Sequence, residues 1–346
     1  MPYGFIKAAA LSPKTVVADP RSNGEAALSA LLQAQNAGVQ LAVLPELTLS
    51  SYTCADLFHH YALISGCEEA LSRLLSATAS LPLIFAIGLP VRVGAGLFNC
   101  AAVCQQGRIL GLVPKTYLPN YQEFYEKRWF ASAADLPAST VTLCGQEVPV
   151  GEMLFRFGPL TVGIELCEDL WVPVPPSSLL ALRGANVILN LSASNELVAK
   201  NDYRRGLVSR QSAGCICGYL YASAGVGEST TDLVFSGACT VAENGTILAE
   251  SPRFSWDTVM AVGCIDLEKL AAERRRDGSF LDNAARMKLS PLPVVEGELP
   301  QLDAAQIDRS FDPTPFIPRD AAARADRCRE IFAIQAAGLT PRLAHT

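Results

Sequence analysis

Two segments of the sequence share one order of elements, a helix pattern followed by a short apolar strand pattern. In the first, leucines recur at helical spacing over residues 22–38, a glycine closes the segment, and residues 40–44 read as a strand. The second has a helix pattern over residues 177–183 and an apolar run over residues 187–191. Alternation of this kind predicts a layered α/β fold.

Further strand patterns extend the predicted sheet system to about nine strands. Glu243-Asn244-Gly245 has the composition of a tight hairpin turn. After about residue 265 the pattern changes to a charged helix, then to a Pro- and Asp-rich linker over residues 291–318, and then to a final helix from Arg319 to about Ala337. The remaining strands are predicted at 83–88, 109–113, 160–166, 219–224 and 259–265.

Charge and hydropathy argue against several classes of function. The net charge of -6 offers no basic surface for nucleic acid, and no Lys/Arg cluster marks a membrane surface. The longest strongly apolar stretch, residues 81–91, is shorter than the roughly 18 residues that cross a bilayer. The N-terminus lacks the pattern of a signal peptide. We therefore expect a cytoplasmic protein that binds neither nucleic acid nor membrane.

The cysteines do not have the spacing of a disulfide framework. There are eleven, scattered along the chain, which is typical of a reducing compartment where most are buried packing residues. The only histidines are His59, His60 and His345, so the chain offers few zinc ligands. We expect no metal site.

A reactive side chain stands at or just past the end of three apolar strand patterns. Glu46 follows LAVLP, Lys115 follows ILGLVP, and Cys167 follows LTVGIEL. Residues at the carboxyl ends of strands in α/β proteins are held rigidly yet face solvent, so these three side chains can converge. Each alone is more typical of surface or packing roles, and the case depends on the three together.

A carboxylate, an ammonium and a thiol together suit acyl transfer. A thiol has an ordinary pKa near ~8.5 and needs a base to become a good nucleophile at neutral pH. Glu46 can take the proton of Cys167. Lys115 and the backbone N–H that follows Cys167 can stabilise the oxyanion formed when sulfur attacks an amide carbonyl.

Four segments together resemble the nitrilase superfamily and, more closely, the glutaminase domain of glutamine-dependent NAD synthetases. These are PELTLSSYTCADLF, PKTYLPNYQEFYEKRWF, GIELCEDLWVPVPPS and YASAGVGESTTDLVF, which occur in unchanged order over nearly the whole chain. The resemblance implies an α/β fold, a nitrilase-like four-layer α-β-β-α sandwich. It also implies that Glu46 is the general base, Lys115 the oxyanion-stabilising lysine and Cys167 the nucleophile.

The resemblance also implies a second active-site carboxylate and a set of substrate contacts. The carboxylate falls on Glu126, with Glu123 as the competing choice. Tyr121 would line the glutamine pocket, and Ser194 and Lys200 would bind the amino-acid end of the substrate. A lysine at position 200 holds a carboxylate as a point charge and cannot form the bidentate pair of an arginine. 

Tyr52, in the loop after Glu46, is the candidate for a residue near the ammonia exit. Simple packing of the loop is the alternative role of this side chain, because aromatic side chains are often buried. The Gly-Val-Gly-Glu-Ser run at residues 225–229 is no phosphate loop, because it lacks the Gly-Lys-Ser/Thr ending.

By the same resemblance, residues 1–270 form a glutamine amidohydrolase domain, and residues 271–346 form a linker and a helix that lead toward an ATP-dependent synthetase domain. The pyrophosphate loop of that second domain resembles Ser-Gly-Gly-x-Asp-Ser, and the sequence has no Gly-Gly pair. We expect that domain to be missing here. ATP, Mg and deamido-NAD would belong to it, and the glutaminase domain would need no cofactor.

The expected partners are L-glutamine, the synthetase domain of the full-length ligase, and further copies of the chain in a homo-oligomer. Two alternatives stay open. One is a free-standing amidase of the same superfamily that acts on another ω-amide, which would not need the linker. The other is an inactive scaffold, against which the presence of Glu46, Lys115 and Cys167 argues.

Overall fold

The computed structural model describes residues 2–311, 313–318 and 320–345. It divides into two compact units, Met1–Asp308 and Arg309–Thr346. The first unit contains all the predicted site residues. The second contains one long helix, α7 (Ala321–Ala344), whose side chains are exposed. The predicted start of this helix at Arg319 lies outside the described residues.

The first unit is built from fifteen strands and six helices within the described residues. The helices are α1 (Pro20–Asn36), α2 (Tyr61–Thr78), α3 (Pro176–Leu182), α4 (Lys200–Gly214), α5 (Leu267–Arg276) and α6 (Gly278–Met287). The strands are β1 (Phe5–Ser12), β2 (Leu41–Val43), β3 (Ile84–Val93), β4 (Gly96–Gln105), β5 (Arg108–Pro114), β6 (Thr140–Leu143), β7 (Gln146–Pro149), β8 (Leu154–Phe157), β9 (Leu160–Leu166), β10 (Val187–Ser192), β11 (Gly218–Ser223), β12 (Cys239–Glu243), β13 (Thr246–Glu250), β14 (Val259–Asp266) and β15 (Val294–Glu296).

Two large mixed sheets organise these strands. One has the order β14-β1-β2-β3-β4-β5, and the other has the order β13-β12-β11-β10-β9-β8-β15. In the first sheet β1, β2 and β3 are parallel neighbours, and in the second β9, β10 and β11 are. These runs of three parallel strands lie at the centre of each sheet, where both faces are covered. A separate hairpin joins β6 to β7.

The side-chain pattern of the strands creates four layers. On β1, Ala9 and Leu11 pack with α1 and α2, whereas Ile6, Ala8 and Ala10 pack against the inner face of the second sheet. This alternation follows from the two-residue period of a strand. A third core lies between the outer face of the second sheet and helices α3 and α4. The predicted α-β-β-α sandwich is confirmed.

Local sequence signals fix the ends of several elements. Helix α1 begins at Pro20, and the side chain of Asp19 accepts a hydrogen bond from Ser22 N (3.1 Å), as an N-cap does. The predicted hairpin turn joins β12 to β13, with Asn244 and Gly245 both at positive φ. The predicted strand at 160–166 has the bounds of β9.

The segment predicted as a linker is partly structured. Residues 294–296 form β15 and pair in parallel with β8, so they extend the second sheet. The domain boundary at residue 270 stays a prediction, while the compact first unit continues to Asp308. Within the described residues no helix is both long enough and apolar enough to span a bilayer.

Candidate active site

Three strand ends bring Glu46, Lys115 and Cys167 to one place between the sheets. Glu46 lies in the turn after β2, and its backbone N–H donates to the carbonyl of Ser192 at the end of β10 (3.3 Å). Lys115 follows β5, and its N–H donates to the carbonyl of Asn99 on β4 (2.8 Å). Cys167 follows β9 directly. The two sheets thus supply the base and lysine from one side and the thiol from the other.

Lys115 is the centre of a buried ion cluster. Its Nζ donates to Oε1 of Glu46 (2.7 Å) and to Oε1 of Glu126 (2.7 Å), and all three side chains are at most 1% exposed. One buried cation between two carboxylates holds the positions of both. Of the two carboxylates left open by the sequence, Glu126 therefore lies at the lysine. Glu123 instead accepts a hydrogen bond from Asn195 Nδ2 (2.7 Å).

Each carboxylate has one satisfied oxygen and one free oxygen. Oε1 of Glu46 accepts a second bond from Asn99 Nδ2 (2.6 Å), and Oε1 of Glu126 accepts a second bond from the Tyr52 hydroxyl (2.8 Å). Oε2 of Glu46 and Oε2 of Glu126 are buried and accept no hydrogen bond within the described residues. A buried oxygen without a hydrogen bond costs free energy, so these two oxygens are the acceptors that a substrate or a proton can occupy.

Cys167 has a strained backbone that presents its side chain to the site. Its φ is +43°, in the left-handed region that a residue with a Cβ rarely adopts, and such strain concentrates at functional positions. It opens the short 3-10 turn Cys167–Leu170. The carboxylate of Asp169 accepts from Leu166 N (3.0 Å) and from Tyr117 N (2.8 Å). Asp169 thereby joins the cysteine turn to the loop that carries Lys115.

Burial and charge set the protonation of the cluster. Burial raises the pKa of Cys167, Glu46 raises it further, and Lys115 lowers it, so the resting side chain is a neutral thiol. Burial alone would lower the pKa of Lys115, but Glu126 and Glu46 raise it well above its usual value. Burial raises the pKa of Glu126 to about 7, although Lys115 opposes this. The lysine is a fixed cation, and the thiol needs a base.

Two of the predicted substrate-binding residues, Tyr121 and Lys200, lie within electrostatic range of Cys167. The Tyr121 hydroxyl donates to Glu168 Oε1 (2.9 Å), next to the nucleophile, and half of the Tyr121 side chain is exposed. Lys200 Nζ donates to Asn195 Oδ1 and lies 5.2 Å from the centre of the Trp171 ring. Burial lowers the pKa of Lys200, and an electrostatic interaction with Cys167 opposes this shift, so the ammonium lies within electrostatic range of the nucleophile.

Ser194, a third predicted substrate-binding residue, is buried. Its backbone N–H donates to the Ser223 hydroxyl (3.2 Å), which ties the loop after β10 to the end of β11. The structure therefore brings Tyr121, Ser194 and Lys200 to the same region as Cys167. Among the described residues none of these three hydrogen-bonds to the Lys115 cluster, and we call them the rim residues, whereas Tyr52 and Glu126 belong to the cluster itself.

A cavity of about 210 Å³ lies beside Tyr52, and its lining includes the aromatic side chains of Phe124, Tyr125 and Trp129 and the carboxylates of Glu123 and Asp232. The Tyr52 backbone N–H donates to Glu228 Oε1 (2.8 Å), and Thr53 N and Thr53 Oγ1 donate to Glu228 Oε2 (2.9 and 2.5 Å). Glu228 is buried and has no cationic partner among these contacts. It fixes the loop on which Tyr52 sits.

Three residues of the site are absent from the sequence-based prediction of function, namely Asn99, Asp169 and Glu228. Asn99 stands inside a strand and carries an amide, which has no reactive signature. Asp169 stands two residues after Cys167, and Glu228 stands in a glycine-rich segment. The sequence does not indicate which backbone N–H groups these two carboxylates accept from. Among the described residues no group of three or more His, Cys, Asp or Glu side chains could hold a metal ion.

Comparison with known proteins identifies the family. The family model described as "Carbon-nitrogen hydrolase" matches residues 7–275. The chain belongs to the carbon-nitrogen hydrolase family. The family resemblance predicted from the four sequence segments is confirmed.

Named relatives of this carbon-nitrogen hydrolase are glutamine-dependent NAD(+) synthetases. The protein from Mycobacterium tuberculosis is 38% identical over 348 residues, which cover 99% of this chain and 51% of that protein. The protein from Arabidopsis thaliana is 29% identical over 289 residues, 80% of this chain and 39% of that one. The chain thus spans about half the length, or less, of these relatives.

Solved structures agree with the fold. A glutamine-dependent NAD(+) synthetase from Cytophaga hutchinsonii superposes with a TM-score of 0.68 at 25% identity, covering 75% of this chain and 43% of that chain. An amidase from Nesterenkonia superposes with a TM-score of 0.62 at 19% identity, covering 80% and 97%. The second likeness supports the nitrilase-like fold alone.

Proposed function

We propose that this chain hydrolyses the side-chain amide of L-glutamine to glutamate and ammonia through a thioester on Cys167. The observation that carries the proposal is the buried Lys115, bound at 2.7 Å to Glu46 and to Glu126 within electrostatic range of the Cys167 thiol. Such a cluster can accept a proton and stabilise an oxyanion without water. Relatives whose alignments cover 98–99% of the chain are named glutamine-dependent NAD(+) synthetases, which supports glutamine as the amide.

The proposed chemistry begins with proton transfer from the Cys167 thiol to Glu46. The sulfur attacks the amide carbon, and the carbonyl oxygen takes the negative charge beside the Lys115 ammonium. Glu46 then returns the proton to the amide nitrogen, the C–N bond breaks, and ammonia leaves. Water, deprotonated by Glu46, hydrolyses the thioester and restores the thiol. Atoms and charges balance over the two steps.

The rim residues suit the amino-acid end of glutamine. In the proposal, Lys200 attracts the α-carboxylate as a point charge, and Ser194 adds a hydroxyl. Tyr121 lines the pocket, and Glu126 contacts the amide at the closed end. Glu123 and Glu168 stand near Lys200 and Tyr121 and can attract the α-ammonium group.

The wider setting of the activity is also part of the proposal. Ammonia would pass by Tyr52 toward a synthetase domain that converts deamido-NAD to NAD with ATP and Mg, while the hydrolase site itself would use no cofactor. We further propose a cytoplasmic homo-oligomer. Size-exclusion chromatography with light scattering tests the assembly, and fractionation of cells tests the location.

Covalent labelling tests the nucleophile and the substrate together. The protein is exposed to a glutamine-like diazoketone, with and without excess L-glutamine, and the adduct is located by intact-protein and peptide mass spectrometry. Cys167→Ala is compared with Cys104→Ala, a matched control because Cys104 is equally buried and lies at the far end of β4. Ammonia release from glutamine is measured for the same proteins.

We expect a single adduct on Cys167 that glutamine blocks, and a loss of ammonia release on the order of 1000-fold or more for Cys167→Ala, because no acyl intermediate can form. Cys104→Ala should keep both properties. Adducts spread over several of the eleven cysteines would contradict the nucleophile. Labelling of Cys167 that another ω-amide blocks and glutamine does not would favour an amidase of different specificity.

A further inference from the structure

The two oxygens of Glu46 are not equivalent. Oε1 accepts from Lys115 Nζ (2.7 Å) and from Asn99 Nδ2 (2.6 Å), whereas Oε2 is buried without a hydrogen-bond donor in the part of the chain that the structure describes. Two donors on one oxygen fix the rotation of the carboxylate plane. A base that is held this way presents one defined atom to the thiol.

Asn99 contacts both partners of the central ion pair. Its side chain donates to Glu46, and its backbone carbonyl accepts from the backbone N–H of Lys115 (2.8 Å). The orientation of the amide is determined by its partner, because an ionised carboxylate oxygen only accepts and the NH2 group must face it. Strand β4 thus holds the base and the lysine in one register.

The cost of burying Asn99 also indicates a specific role. The side chain is 0% exposed, and its Oδ1 has no hydrogen-bond donor among the described residues. A buried amide with an unsatisfied oxygen is less favourable at a packing position than a leucine of similar size. Its neighbours along β4, Phe98 and Cys100, are apolar or weakly polar. The contact with Glu46 is what distinguishes Asn99 from a packing residue.

We propose that Asn99 is the positioning residue of the general base, and that it holds Oε1 of Glu46 so that Oε2 receives the proton of Cys167. The inference rests on the proposed role of Glu46. Asn99 takes no proton itself. Without the N–H of Asn99, the Glu46 carboxylate keeps only its hydrogen bond from Lys115 and can rotate about it. Oε2 then no longer has a fixed direction toward the sulfur of Cys167.

Two variants remove the donor in different ways. Asn99→Leu replaces the amide by an apolar group of similar volume, and Asn99→Ala removes the amide without adding a group. Having both keeps the test open if one variant folds poorly. Cys104→Ala is the matched control, since it alters a fully buried residue of the same strand outside the site. All proteins are used as the full chain.

Two experiments are made at the same pH. The first measures kcat and KM for glutamine. The second measures the rate at which iodoacetamide alkylates Cys167 and each of the other cysteines, which mass spectrometry distinguishes. We expect both Asn99 variants to lose kcat and Cys167 alkylation by roughly 100-fold, the cost of misplacing a catalytic group, while KM stays within about twofold. The buried cysteines 67, 100 and 104 should react no faster than before.

A purely structural role has the opposite signature. A loosened fold would expose thiols, so Cys167 and the other buried cysteines would all react faster, and this result would overturn the proposal, as would an unchanged kcat. Failure of the proposed function is distinguishable. If Cys167 of the native protein is alkylated readily but glutamine is not hydrolysed, glutamine is ruled out as the substrate. The alkylation rates of the variants still decide the role of Asn99.

Discussion

At the residue scale, the site is a balance of one cation and two anions out of contact with water. Glu46 and Glu126 bring two negative charges, and Lys115 brings one positive charge. Burial is the main reason that the pKa of Cys167 is raised and that the pKa of Glu126 is raised to about 7; Glu46 adds to both shifts and Lys115 opposes them. The lysine is therefore both a chemical group and the element that allows two buried carboxylates to face each other.

Removal of Lys115 should destabilise the protein most at high pH. Lys115→Met leaves two buried carboxylates without a cation, so the free energy of unfolding should fall by about 3–5 kcal/mol at pH 8. The folded-state pKa of Glu126 is already above its usual value, and without the lysine it rises further. As pH falls through this raised pKa, the folded variant takes a proton that the unfolded chain does not, and part of the loss should be recovered. Chemical denaturation at pH 5.5 and pH 8 measures this.

The double variant Lys115→Met/Glu126→Gln is the control for that pH dependence. It removes one of the two carboxylates, so its unfolding free energy should exceed that of Lys115→Met at pH 8 and should depend less on pH. If Lys115→Met loses the same free energy at both pH values, the carboxylates are not the cause. The loss would then be one of packing by the lysine chain.

At the element scale, the turn that carries Glu46 depends on a glycine in the neighbouring strand. Gly88 lies in β3, and a Cβ built on it would come within 2.2 Å of Leu47 N, 2.6 Å of Pro45 O and 2.7 Å of Glu46 C. All three are backbone atoms, so the clash cannot be relieved by the rotation of a side chain. The backbone of β3 passes directly against the turn, and only glycine permits that approach.

Gly88→Ala should therefore displace the base. We expect a fall of about 1–3 kcal/mol in the free energy of unfolding from overpacking, and a loss of glutamine hydrolysis in the folded fraction. Gly206→Ala is the matched control, because Gly206 is exposed on α4 and its Cβ would meet nothing within 4 Å. That change should stabilise the protein by up to about 1 kcal/mol and keep activity. Full activity of folded Gly88→Ala would show that the turn tolerates the shift.

The sequence predicts those parts of the fold and site that have local signals. Strand ends followed by a reactive side chain led to Glu46, Lys115 and Cys167, and these three do converge. The sequence does not predict Asn99 as a site residue, because its contact with Glu46 depends on which turn packs against β4, and no local signal shows that. Helix α4 was also missed, since its first residue, Lys200, follows a polar segment that reads as a loop and most of the helix is polar.

At the scale of the whole molecule, the C-terminal part of the first unit is tied to its body. Strand β15 pairs with β8, and the Gln105 side chain exchanges hydrogen bonds with the backbone of Glu298. Farther along, Lys7 Nζ donates to the carbonyl of Gln306 (3.0 Å), and Leu302 is buried against Phe5 and Cys264. These contacts close the outer edge of one sheet and cover the end of β1, far from Cys167 in sequence.

Truncation at two points tests how far the hydrolase domain extends. A chain that ends at Asp308 keeps every one of these contacts, so we expect it to retain the thermal unfolding temperature and the Cys167 labelling of the full chain. A chain that ends at residue 270 loses β15 and exposes both the backbone edge of β8 and the apolar surface under Leu302, and we expect a lower unfolding temperature and aggregation. Equal stability of the two truncated chains would instead support the boundary predicted at residue 270, because the segment from 271 to 308 would then contribute nothing to the sheets it contacts.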